Sequence, residues 1–272
     1  MIDNNKNSML PDVIEPLSNA IQQNIPETAK QTDGALSTVV GFFNNVVLYP
    51  VKKANLTFRY KLEAFEDDLK EKTKHIPPQN LQTPPTMIAG PTLEALRYTY
   101  DEAELREMYE NLLASAMDNR ITSEVHPSFV DTIKQLSPLD AIVLRMFATK
   151  QQYKCGTIHF NLTKDSSKNY ANAMPDYFVE EFCSLGDPFL VSTSLINLKR
   201  LGIIDITEAG LTGENYNSMK SNQYVLSREK IYRQQGAYDF SVKISEHAVV
   251  LNNYGKQFIK ICLPNGGVIY AD

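Results

Sequence analysis

Five prolines, Pro77, Pro78, Pro84, Pro85 and Pro91, crowd residues 76–91. Each removes a backbone donor and clashes with the preceding helical turn, so no regular helix can run through all of them. Paired prolines favour extended, polyproline-like chain, and the segment reads as a stiff linker. It separates an N-terminal arm, residues 1–75, from a body. The body divides again by pattern, into a helical block over 92–150 and an α+β unit over 151–272.

The arm has two amphipathic stretches. Residues 1–16 are polar and broken by Pro11 and Pro16, and Pro26 interrupts a pattern that starts at Leu17. Leu36, Val39, Val40, Phe43 and Val47 then recur at the spacing of one helix face. Pro50 breaks or kinks that helix. Ala54, Phe58, Leu62, Phe65 and Leu69 mark a second stripe, so the arm is a helical hairpin or one kinked helix. No charged residue occurs for 18 positions from Gly34 to Val51, and Lys52, Lys53, Arg59 and Lys61 follow. As a helix that stretch would be about 27 Å long, near the thickness of a bilayer core. Ser37, Thr38, Asn44 and Asn45 argue against a permanent span. Two readings stay open. The helix lies at a membrane surface with Lys52 and Lys53 on headgroups, or it docks on the protein's own body.

In the central block, Pro91 suits a first helical position, opening a helix through Leu93, Leu96 and Arg97. Asp101 can cap the next helix, whose apolar stripe is Leu105, Met108, Tyr109, Leu112, Leu113 and Ala116. Glu102, Glu104, Glu107 and Glu110 read as its solvated side. A third helix starts near Pro127. Ser137-Pro138 is a cap and first-turn proline for a fourth, with Leu139, Ile142, Val143 and Met146 inward.

Beyond Lys150 the texture changes. Lys154 to Leu162 alternates like a strand, a short helix is expected from Pro175 to Ser184, and Asp187-Pro188 opens another. Phe189, Leu195, Leu198 and Leu201 point inward there, and Gly202 ends it before the strand-like Ile203 to Ile206. Val242 to Leu251 is strand-like with a turn near Glu246, and Asn252 starts a last helix. The order resembles a winged helix. Its candidate recognition helix presents Ser192, Thr193, Asn197, Lys199 and Arg200 on the polar side, types that contact base edges and phosphates. Residues 191–262 hold nine Lys/Arg against six Asp/Glu, a local excess of three cations in a chain of net charge −5. That asymmetry favours an anionic partner for this unit, while the acidic whole is not built as a general nucleic-acid coat. The competing reading is that the unit only packs or binds protein.

Signals for chemistry are thin. Cys155 and His159 share one face of a strand, but two ligands do not make a metal site. His126-Pro127-Ser128 brings a base and a hydroxyl together, although Pro127 more simply starts a helix. No Gly-rich phosphate loop, nucleophile elbow or zinc-protease motif occurs, so neither a cofactor nor a small-molecule substrate is expected. The three cysteines are scattered and odd in number, which points to a reducing cytoplasm rather than a disulfide framework. The N-terminus lacks the basic start and apolar run of a signal peptide. The expected location is cytoplasmic, with the arm able to bring the chain to the inner membrane.

One resemblance sharpens this. Residues 88–118, IAGPTLEALRYTYDEAELREMYENLLASAMD, and residues 126–144, HPSFVDTIKQLSPLDAIVL, resemble the bacterial abortive-infection alpha family. The similarity spans roughly residues 60–262. It implies a phage-defence role, harmful to the host cell once triggered, and brings no catalytic residues to carry over. The expected fold is mainly α, with an N-terminal amphipathic helical arm, a central helical block and a C-terminal winged-helix-like α+β unit. The expected function is a non-enzymatic sensor or scaffold with a partner- or membrane-binding arm, acting through a protein partner or self-association. The alternatives are a winged-helix DNA-binding regulator and an enzyme of unrecognised type.

Overall fold

The computed structural model describes residues 27–43, 55–162, 173–234 and 240–263. The chain is mostly helical, with a small three-stranded antiparallel sheet near its C-terminal end. Helices α1 (Glu27–Phe43) and α2 (Asn55–Thr73) precede the proline-rich stretch, and α3 (Thr86–Thr99), α4 (Ala103–Ala116), α5 (Ser128–Lys134) and α6 (Pro138–Thr149) follow it. Then come β1 (Gln152–Leu162), α7 (Pro188–Arg200), β2 (Ile204–Ile206), α8 (Gln223–Gln234), β3 (Phe240–Leu251) and α9 (Asn253–Cys262).

The organising element is α4. It packs against α2, α3, α5, α6 and α9, and every residue from Met108 to Ala116 is buried. Burial all round means a central helix rather than a surface one. Two of its polar side chains serve α9: Asn111 donates to the Cys262 carbonyl at 2.9 Å and Ser115 to the Ile261 carbonyl at 3.2 Å. Those carbonyls belong to the last turn of a helix, where no intrahelical donor remains.

The arm is docked. On α1, Ala35, Val39 and Phe43 are buried, and Leu36 and Val40 are half-buried. The Phe43 ring stacks on Phe65 of α2 at 4.0 Å between centroids and meets Tyr100 at 5.6 Å. Phe65 and Leu69 are fully buried in the cluster that continues through α4 to α9. The Tyr100 hydroxyl donates to the Lys61 carbonyl at 2.8 Å. The proline-rich stretch is tied down too. Gln82 N–H donates to the Met117 carbonyl at 2.8 Å and Asn119 N–H to the Asn80 carbonyl at 2.9 Å, while Ile76, Leu81, Ile88 and Ala89 are buried.

Several local expectations change. The third helix begins at Thr86, and Pro91 lies inside it rather than at its start. The carbonyl that loses its partner there belongs to Met87, which is 65% exposed. Asp101 does not cap α4. The residue before that helix is Glu102, without a side-chain cap bond, and Asp101 pairs with Lys61 at 2.7 Å. Only a single 3-10 turn, Glu180–Phe182, forms within residues 175–184. No turn forms at Glu246, because β1 offers β3 an unbroken partner from Gln152↔Val250 to Leu162↔Phe240.

The sheet has the order β1-β3-β2. One face joins the main core through Tyr153 and Cys155, and the other carries a second cluster of Ile158, Phe160, Phe178, Met219 and Val225. The insertion between β2 and β3 is not a bare loop, since it holds a 3-10 segment, Tyr216–Ser221, and α8.

Candidate functional site

Local chemistry sets α7 firmly. Asp187 caps it, accepting from the Phe189 N–H at 2.7 Å, and Pro188 occupies the first turn. At the other end Gly202 takes a positive φ of 70°. There Ile203 N–H donates to the Leu198 carbonyl and Gly202 N–H to the Lys199 carbonyl, each at 3.0 Å, the paired closure of a Schellman cap. Val191, Ser192, Ser194, Leu195 and Leu198 face inward. Leu190 and Ile196 face outward, 59% and 41% exposed.

That outward face forms one wall of an open cleft of ≈ 730 Å³. The C-terminal turn of α5 and the first turn of α6 make the other wall, with Lys134, Leu136, Leu139 and Asp140 among its lining. A capping box holds α6 in place: Asp140 N–H donates to Ser137 Oγ at 3.1 Å and Ser137 N–H to Asp140 Oδ2 at 2.7 Å. Asp140 is buried and also accepts from Asn197 Nδ2 at 2.9 Å.

The five candidate residues on α7 divide. Ser192 is 3% exposed, so its placement on the polar side is corrected: its hydroxyl turns inward and accepts from the Tyr177 N–H at 3.0 Å. Thr193 is exposed and donates to its own helix at Phe189 O. Asn197 spends both amide hydrogens, on Gln135 O and Asp140 Oδ2, while its oxygen accepts from Arg200. Lys199 and Arg200 are exposed. Lys199 lies 6.0 Å from the Tyr177 ring centroid, and Arg200 donates to Gln135 Oε1 at 3.0 Å. Of the arm candidates, Leu36, Val39 and Phe43 pack on the body and Val40 is half-buried, while Val47, Lys52 and Lys53 lie outside the described residues.

Two other constellations carry potential chemistry. His126 Nδ1 lies 2.6 Å from Ser128 Oγ, which lies 2.9 Å from the Tyr254 hydroxyl, itself 2.7 Å from Thr132 Oγ1. The same Nδ1 accepts the Ser128 backbone N–H at 3.1 Å. The imidazole thereby closes the turn before α5, and Tyr254 ties α9 to α5. Cys155 and His159 share a sheet face, but Cys155 is buried and His159 exposed, four residues or roughly 13 Å apart along the strand. Burial holds the Cys155 thiol up at about 12. Among the described residues no group of three or more His, Cys, Asp or Glu is placed to hold a metal.

Glu110 departs furthest from its expected role. It is 3% exposed, not part of a solvated face, and its Oε1 lacks a hydrogen-bond partner. Arg106 Nε stands 3.6 Å from that oxygen. Burial pushes the carboxyl up to about 7. Asp68 and Glu107 add to the shift, and Lys72 and Arg106 oppose it. The sequence signal for the cleft was the surplus: Leu190 and Ile196 stay apolar on the face opposite the inward stripe.

The fold and site together define a mostly helical protein with a small antiparallel sheet and an apolar cleft on one exposed helix. The model of the family described as abortive infection alpha matches residues 57–262, and the chain belongs to that family. No curated protein and no solved structure matches it. Among the described residues no helix is long and apolar enough to cross a membrane.

Proposed function

We propose that this chain serves abortive infection by binding a partner rather than by catalysing a reaction, with the outward face of α7 as the binding surface. The observation that carries this reading is the exposure of Leu190 and Ile196 at an open, largely apolar cleft. Large apolar side chains grouped at a concave surface mark contact sites more often than chance exposure does. The groups that could do chemistry are otherwise engaged: His126, Ser128 and Tyr254 fasten α5 to α9, and Asp140 caps α6. In this reading α1 and α2 are scaffold, held on the body through Phe43, Phe65 and Tyr100. The test is the double variant L190E/I196E. Both sites are exposed, so its stability should stay within about 0.5 kcal/mol per site of wild type, while protection of cells against phage is lost. Undiminished protection by the folded variant would sink the reading.

A second reading has one observation in its favour. The strand order β1-β3-β2, with α7 directly before β2, is the arrangement a winged helix would use, and α7 would then be its DNA-reading helix. Ser192 and Asn197 are committed within the protein, which leaves Thr193, Lys199 and Arg200 for DNA. Duplex DNA should then bind at low salt, and K199E/R200E should weaken that binding by orders of magnitude. Absence of wild-type binding at low salt removes this reading.

A further inference from the structure

The charges around the cleft are not evenly spread. Leu190 and Arg200 are ten residues apart on α7, or roughly 15 Å at the helical rise. Along that length the lining is apolar at the Leu190 end and at Ile196, then turns cationic where Arg200 meets Gln135, the residue after Lys134. Among the described residues Arg200 hydrogen-bonds only neutral groups there, Gln135 Oε1 and Asn197 Oδ1, and Lys199 lies beside it over the Tyr177 ring. Among the described residues neither Lys199 nor Arg200 has a carboxylate within salt-bridge distance. Lys134 has one, exposed Asp131, at 3.5 Å. Among the described residues the one carboxylate lining the cleft, Asp140, is buried and already accepts from Ser137 N–H and Asn197 Nδ2. A guanidinium held in place by neutral acceptors keeps its charge for a partner, and its fork geometry suits a carboxylate.

We propose that this cleft seats a short amphipathic helix of a partner protein, with apolar side chains over Leu190 and Ile196 and carboxylates at the end facing Arg200 and Lys134. The inference rests on the partner-binding reading and names the partner's chemistry. A 15 Å wall accommodates two to three helical turns, the span over which such helices present anchors at i, i+3 or i+4 and i+7. A phosphate backbone would meet the same cations but gains nothing from Leu190 and Ile196. A second copy offers α8, which also exposes Leu226 and Ile231. That helix carries three cations, Arg228, Lys230 and Arg233, against one carboxylate, Glu229, which already pairs with Arg233 at 2.6 Å, so it meets the cleft's cations with like charge.

The experiment uses the full chain and two fluorescein-labelled helical peptides of about fourteen residues, roughly four turns. They share one leucine face and differ only in having Glu or Lys at one end. The Glu peptide should bind roughly tenfold or more tightly than the Lys peptide, the ratio expected of one charge-assisted contact. K134E/R200E, melting as wild type does, should reverse that preference, and L190E/I196E should abolish binding of both. If L190E/I196E abolishes phage protection but wild type binds both peptides equally, the partner-binding reading stands and this inference is overturned. Competition by duplex DNA for the peptide site overturns it too. So does a concentration-dependent dimer that L190E/I196E dissolves, since the occupant is then nucleic acid or a second copy.

Discussion

Glu110 shows what one buried side chain can impose. Its carboxyl sits under α2 with an unpartnered oxygen, and burial raises its pKa from 4.5 to about 7. The groups facing it are Asp68 and Lys72 on α2, and Arg106 and Glu107 on its own helix. The folded state therefore holds this proton where the unfolded chain has released it. Stability from this group is present below about pH 4.5, falls as pH rises, and is fully lost above about pH 7. The full shift corresponds to a loss on the order of 3 kcal/mol. Urea titrations at about pH 5 and about pH 8 should show that drop, and Glu110→Gln should flatten it, because a neutral amide has no proton to lose. An equal slope in both proteins would show that the titrating group lies elsewhere. No spacing rule gives this burial. On the sequence Glu110 belongs with Glu104 and Glu107 on a polar side, and only the passage of α2 over α4 takes it from water.

At the scale of elements, what was legible was local. Asp187-Pro188, Ser137-Pro138, Gly202 and Asn252 mark starts and stops in the sequence, and all four act so, because a cap bonds to backbone within three residues of itself. What failed was decided at a distance. Asp101 has the chemistry of a cap but is taken by Lys61, forty positions earlier. The strand through Glu246 runs on without a turn because β1, ninety positions earlier at Gly156↔Glu246, pairs with it from Phe240 to Val250. The cleft is half legible: Thr193, Asn197 and Arg200 stand out on the polar side of the helix pattern, whereas Leu190 and Ile196 do not, since which walls flank α7 depends on α5 and α6. The sharpest element-level constraint is Gly255. A methyl group there would lie 2.1 Å from the Ile203 carbonyl oxygen. Gly255→Ala must push α9 away from the turn after α7, where Asn252 Nδ2 also donates to the Gly202 carbonyl. Overpacking of this kind costs about 1–3 kcal/mol, and here the obstacle is backbone. Thermal melting should place Gly255→Ala well below wild type, and a variant as stable as wild type would show that α9 can shift freely.

At the scale of the molecule, the division into arm, linker and body is one of sequence texture that a single continuous core crosses. Val39, Phe43, Phe65 and Leu69 are buried with the body. At about 1.5–3 kcal/mol for each, they contribute roughly 6–12 kcal/mol, comparable to the whole stability of an ordinary domain. A chain lacking residues 1–74 should therefore fail to give a cooperative melt and should bind a hydrophobic dye. If it melts cooperatively, the arm is dispensable to the fold and the membrane reading of residues 34–51 regains its footing. The same unity governs how the protein comes into being. Asn111 and Ser115 find their acceptors on the Cys262 and Ile261 carbonyls, 151 and 146 residues further on. While the ribosome is still making the sheet, the central helix has an open flank where α9 will lie, with Asn111 and Ser115 left to water. The molecule cannot settle piece by piece as it is born. Its middle waits for α9, and until then an apolar flank of the kind that makes half-made chains prone to misassembly stays uncovered.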